Sequence, residues 1–184
     1  MPGITFISRL IESLSSTEDN WHVYELGGTT LKQHCFNQTM VAGKGGKEES
    51  ATIHGELYKS IASKNFKLLK QLVKNMAQVL EVLREANCIH SNICPANICM
   101  YLPTNSTSIV DLKLVDFTCG FHWSATIPIQ NKSLEYRPPE VLCYFEKCRN
   151  KKQSEIESKS EALKSGLKPW SIDVFSLGMS LLEI

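Results

Sequence analysis

The chain has 184 residues, of which 42% are hydrophobic and 21% are charged, and its formal net charge is +1. These values are typical of one globular domain with a real core. The near-neutral charge gives no argument for a nucleic-acid partner. Uninterrupted apolar runs fall well short of the roughly 18 residues that suggest a transmembrane helix. We therefore expect neither nucleic-acid binding nor membrane association.

The amino terminus does not resemble a targeting segment, because Arg9 and Glu12 interrupt its short apolar run. The seven cysteines are an odd number and include no Cys-x-x-Cys pair. This pattern predicts reduced thiols and argues against a zinc site. We expect a cytoplasmic or nuclear location.

The first part of the chain predicts β structure followed by a loop. Residues 4–14 and 21–26 are rich in β-branched and aromatic types and flank a polar turn, which predicts an antiparallel hairpin. A short helix is expected to begin within 29–32. Residues 39–54 are rich in Gly and Lys and predict a mobile loop. Its Gly45-Gly46-Lys47 lacks the flanking residues of a phosphate-binding P-loop.

Residues 66–87 have the clearest helical pattern, with apolar residues every three or four positions and Lys and Gln opposite. Pro95 then interrupts helical structure, which predicts a loop at 90–97. Strands are expected at 98–102 and 110–115, with a polar turn at 103–108 between them.

The remainder predicts helices of differing exposure. Residues 119–135 have no period and predict irregular structure, and a short helix is expected after Pro138. The charged run 146–164 has helix-forming composition without an apolar face, which predicts a solvated insertion. Residues 170–184 are apolar on nearly all sides, which predicts a buried helix.

The loop at 90–97 places polar side chains between two ordered elements, a usual position for functional residues. It resembles the catalytic loop of protein kinases, His-Arg-Asp-x-x-x-x-Asn, with the final Asn matched by Asn97. Two defining residues differ, because Ser91 stands in place of the Arg and Asn92 in place of the catalytic Asp.

Four further segments resemble kinase motifs in the same order along the chain. They are the hinge at 24–28, Asp-Phe-Gly at 116–118, Ala-Pro-Glu at 138–140 and Asp-x-Trp-Ser-x-Gly at 173–178. The chain is therefore identified as a member of the protein kinase superfamily. The small residue at 91 and the form of residues 136–142 look most like SR-protein kinases and their dual-specificity relatives, which phosphorylate serine in proteins.

The resemblance implies a partial kinase-like fold of the α+β class. Residues 1–28 would form the end of the small β lobe and the hinge, and 29–184 the first part of the mainly helical C-lobe. The Gly-rich loop, the strand-three Lys and the Glu-bearing helix would precede residue 4. The remaining C-lobe, including the Arg partner of Glu140, would follow Ile184. We thus expect a piece of a kinase-like protein that exposes apolar faces of 170–184.

The resemblance also implies a weak site for ATP and Mg²⁺. Oxygen ligands suit magnesium, and the matching metal positions are Asn97 and Asp116. The matching adenine positions are the hinge backbone at Glu25 and Gly27, the Tyr24 side chain and, in the floor, Cys99.

Several departures predict impaired catalysis. Asn92 cannot accept a proton at neutral pH, and a general base contributes about 10²–10⁴-fold to rate. Cys94 stands where these kinases place a Lys that stabilises the transferring phosphate, and Thr118 replaces a Gly. We expect a pseudokinase that acts by binding a protein partner.

Two alternatives remain open from the sequence. One is an active serine/threonine kinase, acting on a protein substrate, whose missing segments lie outside this chain. The other is a remnant without function. Nothing in the sequence indicates an oligomeric state.

Overall fold

The computed structural model describes residues 3–42, 48–103 and 108–184. Within these ranges the chain forms six α-helices and nine short strands, and the named strands all pair antiparallel. The predicted α+β class is therefore confirmed. Among the described residues, no helix combines the length and apolar character needed to cross a bilayer.

The chain divides into two compact units. The first contains residues 5–76 and 98–115, and the second contains residues 1–4, 77–97 and 116–184. Each is described by itself.

The first unit begins with an antiparallel hairpin of β1 (Leu10–Ser15) and β2 (Asn20–Tyr24). The hairpin confirms the predicted pairing, but the first strand is shorter than the predicted 4–14. Its first residues include a turn of 3-10 helix at Ile4–Phe6. Ile7 and Ser8 then meet Leu114 through a parallel bridge and a 3.0 Å backbone hydrogen bond. That pairing diverts the backbone before the hairpin starts.

A three-stranded sheet follows in the order β3 (Thr29–Thr30), β7 (Ile98–Tyr101) and β8 (Asp111–Leu114). Thr30 also caps α1 (Leu31–Cys35) through a reciprocal capping box with Gln33, which explains why the short helix starts there. The strands predicted at 98–102 and 110–115 are confirmed. Most of the predicted turn at 103–108 lies outside the described residues.

The predicted mobile loop at 39–54 is wrong for the residues that the structure describes. They form an antiparallel hairpin of β4 (Phe36–Ala42) and β5 (Glu48–His54). β-branched residues at 39, 41, 52 and 53 favour strands. The Gly and Lys content from which a loop is expected does not outweigh them. Gly45-Gly46-Lys47 lies outside the described residues.

Helix α2 (Glu56–Ala62) and the long helix α3 (Lys67–Glu85) follow the second hairpin. α3 confirms the helix predicted at 66–87, and its apolar stripe is buried at Leu72, Met76 and Val79. Asn87 follows with a left-handed φ of 50°, which agrees with its predicted role as a helix breaker.

The second unit has three further helices, α4 (Pro139–Cys148), α5 (Gln153–Ser165) and α6 (Ser171–Glu183), and a two-stranded sheet of β6 (Cys88–Ile89) and β9 (Phe121–His122). Its core is a cluster of buried side chains comprising Ile89, Ile127, Val141, Tyr144, Phe145, Cys148 and Ile172. The helices predicted after Pro138 and from 170 are confirmed.

Helix α5 corrects the prediction that the charged run 146–164 is only a solvated insertion. Ile156 and Leu163 pack against the core cluster, and Ser160 is fully buried. The Ser160 hydroxyl accepts the backbone N–H of Ile127 at 2.9 Å. Two apolar residues and one serine are enough to attach one side of a charged helix, a face too narrow to stand out in the sequence.

Helix α6 is only partly buried. Ile172, Asp173, Ser176, Leu177 and Ser180 face the interior, whereas Leu182 is 81% exposed and Val174 is 44% exposed. Phe175 is 37% exposed as well. The prediction of a buried helix is therefore wrong for these three apolar residues, and the expected exposure of apolar side chains within 170–184 is observed.

Candidate functional site

The loop between β6 and β7 is buried although it is rich in polar groups. Residues 90–95 are all buried, and only Ala96 is exposed before Asn97. A buried loop needs partners for its backbone N–H and C=O groups. Those partners come from far along the chain and define the candidate site.

Asp173, in the first turn of α6, anchors the start of the loop. Its Oδ2 accepts the backbone N–H of His90 and its Oδ1 accepts that of Ser91, both at 2.8 Å. The carboxyl is 1% exposed, and burial raises its pKa to about 6, because desolvation outweighs the opposing effects of the two N–H groups and the Arg137 charge. The carboxylate supports the backbone of the loop.

Ser91 is held in the left-handed region with a φ of 57°. Its Oγ accepts a hydrogen bond from Nη1 of Arg137 at 2.8 Å. The guanidinium is 3% exposed, lies over the ring of Phe145 and donates through Nε to the Lys132 carbonyl. Burial lowers the pKa of Arg137, with the Cys119 thiol and Asp173 opposing that shift. A guanidinium from residue 137 thus meets the serine that stands at the Arg position of the kinase pattern.

Asn92 lies at the centre of the site and is 4% exposed. Its side-chain Nδ2 donates to Oδ2 of Asp116 at 3.2 Å. Its backbone carbonyl accepts from Nδ2 of Asn97 at 2.8 Å. The amide orientation is chemically required, because an ionised carboxylate only accepts hydrogen bonds. The buried Oδ1 has no hydrogen-bond partner among the described residues. Asn92 therefore connects the two predicted metal ligands.

Asp116 adopts a left-handed backbone with a φ of 61° and caps a single 3-10 turn at Phe117–Cys119. Its Oδ1 accepts the Thr118 hydroxyl at 2.5 Å and the Thr118 N–H at 3.4 Å. Burial pushes the pKa of Asp116 upward, but the Thr118 hydrogen bonds and the charges of Lys132 and His90 leave it below its usual value. The carboxylate is thus held ionised by groups of the chain itself.

These contacts bear on whether a magnesium ion fits at Asn97 and Asp116. Both carboxylate oxygens of Asp116 already accept hydrogen bonds from the chain. The Asn97 amide donates through Nδ2 to the Asn92 backbone carbonyl, which leaves its Oδ1 as an oxygen ligand. Within the described ranges, three or more His, Cys, Asp or Glu side chains nowhere gather as a metal-binding group. Mg²⁺ requires near-octahedral oxygen ligands at about 2.0–2.1 Å. An ion here would compete for the Asp116 carboxylate with the Asn92 and Thr118 donors, so Asp116 as folded fits magnesium poorly.

Cys94 is 4% exposed and contacts the hydroxyl of Ser133, whose oxygen lies 3.8 Å from the sulfur. A buried neutral thiol offers no positive charge to a phosphate. A positive charge does lie next to Ser133 in the chain, at Lys132, but its Nζ is directed to the Thr118 hydroxyl at 3.5 Å.

The predicted adenine positions lie in the first unit. Gly27 packs closely against Cys99, since a Cβ built on Gly27 would be 2.9 Å from the Cys99 Cβ. Cys99 is 7% exposed, and burial raises the pKa of its thiol. Tyr24 is 52% exposed in β2. Gly27 and Cys99 are thus brought together.

The predicted hinge residue Glu25 is already hydrogen bonded. Its backbone N–H donates to the Arg9 carbonyl at 3.0 Å, and its carbonyl accepts the Ser8 hydroxyl at 3.3 Å. The N–H of Arg9 and, next, Lys113 lower the pKa of the Glu25 carboxyl. Of its backbone groups, the carbonyl retains a second lone pair for a ligand.

The kinase resemblance rests on the sequence motifs alone. A scan of the sequence against models of known protein families finds no match. A search of curated protein sequences also finds no similar protein.

Sequence reasoning assigned no function to four residues that complete the site. Asp173 and Arg137 lie inside segments that resemble kinase motifs, 173–178 and 136–142, but the sequence indicated no role for either side chain. Thr118 was considered only for its backbone, although its hydroxyl is the closer contact to Asp116. Lys132 lies in an irregular segment and gives no sequence signal.

Proposed function

We propose that this chain is part of a protein-kinase-like domain that acts by binding and does not transfer phosphate. Phosphoryl transfer to a hydroxyl requires in-line phosphates, neutralising cations and a carboxylate that orients the hydroxyl and accepts its proton.

The observation that carries the proposal is the Asn92–Asp116 hydrogen bond. The amide of Asn92 donates at 3.2 Å to Asp116, so the group at the proton-acceptor position is a neutral hydrogen-bond donor. Its Oδ1 can accept a hydrogen bond but cannot take a proton at neutral pH. Loss of a general base lowers the rate by about 10²–10⁴-fold.

Cys94 supports the same conclusion. Its buried thiol occupies the position that the resemblance assigns to a phosphate-binding lysine, and it contacts Ser133 instead. Without that charge, the transition state loses electrostatic stabilisation that the acceptor position cannot replace.

Weak ATP binding is part of the proposal. Gly27 and Cys99, two of the positions that the resemblance assigns to adenine, lie side by side, and the carbonyl of Glu25 retains acceptor capacity. Magnesium at Asn97 and Asp116 contributes little, because the Asn92 amide and the Thr118 hydroxyl already donate to the Asp116 carboxylate and compete with the ion for it. We propose a protein as the binding partner, in the cytoplasm or nucleus.

The alternative proposal is an active serine/threonine kinase. It requires Asn92 to be replaced in its role by another carboxylate. Asp173, the buried carboxylate that contacts the same loop, is fully engaged with the backbone of His90 and Ser91. This observation favours the binding function.

The test is a phosphate-transfer assay on the full chain with labelled ATP, magnesium and serine-containing protein substrates. The natural sequence is expected to give no label above the protein-free background. Asn92→Asp is the matched gain-of-function variant, and Asn92→Leu is the matched negative control. Transfer by the natural sequence that is abolished in Asn92→Leu would contradict the proposal.

A further inference from the structure

The carboxylate of Asp116 has hydrogen-bond donors on both oxygens. Oδ1 accepts the Thr118 hydroxyl at 2.5 Å and Oδ2 accepts the Asn92 amide at 3.2 Å. Hydrogen bonds to an ionised acceptor are short and strong relative to neutral ones. The negative charge at this position is therefore already compensated by the chain.

The local backbone favours this arrangement. Asp116 is the N-cap of the 3-10 turn at Phe117–Cys119, which turns its carboxylate back toward the residue two positions later. A hydroxyl at residue 118 is what makes the closest contact, so Gly or Ala there would remove it. The ring of Phe117 packs edge-on against His90 with centroids 4.5 Å apart, which holds the turn against the loop.

A positive charge is also nearby. Lys132 Nζ is 3.5 Å from the Thr118 hydroxyl oxygen, and that hydroxyl donates to Asp116. A divalent cation approaching Asp116 would meet the Lys132 charge and the hydrogens of the Asn92 amide and Thr118 hydroxyl. The Lys132 charge repels the cation, and the amide and hydroxyl would have to turn their hydrogens away from Asp116, which breaks two hydrogen bonds to the carboxylate.

We infer that Asn92, Thr118 and Lys132 take the place of a divalent cation at Asp116, so that this carboxylate binds no metal and a bound nucleotide needs no magnesium. The nucleotide clause rests on the proposed function, whereas the metal clause concerns residues of the second unit alone. This disagrees with the expectation of magnesium at Asn97 and Asp116.

The first arm of the test measures metal alone. Mn²⁺ is titrated into the full chain, and free Mn²⁺ is followed by electron paramagnetic resonance. The natural sequence is expected to bind no Mn²⁺ at millimolar concentration. The double variant Asn92→Asp/Thr118→Gly removes the two side-chain donors, the Asn92 amide and the Thr118 hydroxyl, and adds a carboxylate. It is expected to bind Mn²⁺ about tenfold more tightly, or better, than the natural sequence. Thr118→Ser retains the hydroxyl and is expected to match the natural sequence.

Two results in this arm would overturn the inference. One is Mn²⁺ binding by the natural sequence that disappears in Asp116→Asn. The other is equal Mn²⁺ affinity for the natural sequence and a folded Asn92→Asp/Thr118→Gly variant. Circular dichroism establishes that the variant is folded, and if it is not, the natural sequence and Asp116→Asn decide the metal clause.

The second arm measures a fluorescent ATP analogue with the natural sequence, in excess EDTA and in millimolar magnesium. Dissociation constants that agree within about twofold support the inference, since twofold is a small free-energy difference. Binding that requires magnesium overturns it, together with the minor role proposed for magnesium, and leaves intact the proposal that the chain binds ATP without transferring phosphate. Absence of nucleotide binding in both conditions removes the nucleotide part of the proposed function, while the Mn²⁺ arm still decides the metal clause.

Discussion

Nη1 of Arg137 donates a hydrogen bond to Oγ of Ser91 at 2.8 Å, with both residues buried. The two are 46 residues apart in the chain. The contact joins the loop at 90–97 to the segment before α4. It explains how a small residue at 91 is accommodated. The Arg137 guanidinium, from a different part of the chain, occupies the space beside Ser91 and donates to its hydroxyl.

This pair predicts a measurable coupling. Ser91→Ala removes the acceptor and leaves a buried Nη1 unpaired, so the free energy of unfolding should fall by about 1–3 kcal/mol. In an Arg137→Met background, the same change should have a much smaller effect, because no donor remains to be orphaned. Urea denaturation of the four proteins measures the coupling. Equal effects of Ser91→Ala in both backgrounds would contradict a direct interaction.

Asp173 predicts a pH dependence of stability. Burial raises its folded pKa from 3.8 to about 6, so the folded state holds the proton more tightly than the unfolded state between those values. Its contribution to stability is therefore fully present below about pH 4 and is lost as pH rises through about 6. A pKa rise of this size corresponds to roughly 3 kcal/mol.

The measurement compares the natural sequence with Asp173→Asn by urea unfolding from pH 4.5 to 7.5. The difference in unfolding free energy should grow in favour of the natural sequence as the pH falls. The amide that the substitution introduces does not titrate, so the effects of other groups cancel in the comparison. Parallel pH profiles would show that the pKa of Asp173 is not perturbed.

Asn92 predicts a penalty for restoring the carboxylate. Asn92→Asp removes the amide donor and places a second negative charge beside Asp116, so without metal the protein should lose about 1–3 kcal/mol of stability. The measurement is thermal or urea unfolding in EDTA. Asn131→Asp, at an exposed residue of the irregular segment, makes the same chemical change and should alter stability by less than about 0.5 kcal/mol. An equal effect of the two changes would argue against the Asn92–Asp116 contact.

Helix α5 predicts unequal effects of two serine substitutions. Ser160 is buried and accepts the N–H of Ile127, so Ser160→Ala should lower the free energy of unfolding by about 1–3 kcal/mol. Ser158 lies on the exposed side of the same helix, and Ser158→Ala should change it by about 0.5 kcal/mol or less. Chemical denaturation of the two variants distinguishes a packed helix from a solvated one. Equal stabilities would favour the solvated insertion expected from composition.

Local patterns predicted most of the helices and four of the nine described strands, β1, β2, β7 and β8. The period of α3 and the apolar content of α6 were visible because helix formation and burial act on neighbouring positions. The hairpin at 36–54 was missed, since its stability depends on pairing between two strands as well as on composition. The packing of α5 was missed because Ile156, Ser160 and Leu163 form a face too narrow to give a period.

The residue types at the candidate site follow from the sequence alone, including an amide at 92 and a thiol at 94, and with them the lack of a proton acceptor at position 92. The roles of those residues became visible only in the folded chain. Asp173 anchors the loop from more than 80 positions away, and the Asp116 carboxylate accepts hydrogen bonds from Asn92 and Thr118. Such contacts depend on the directions of hydrogen bonds between distant segments, which neither periodicity nor motif spacing specifies.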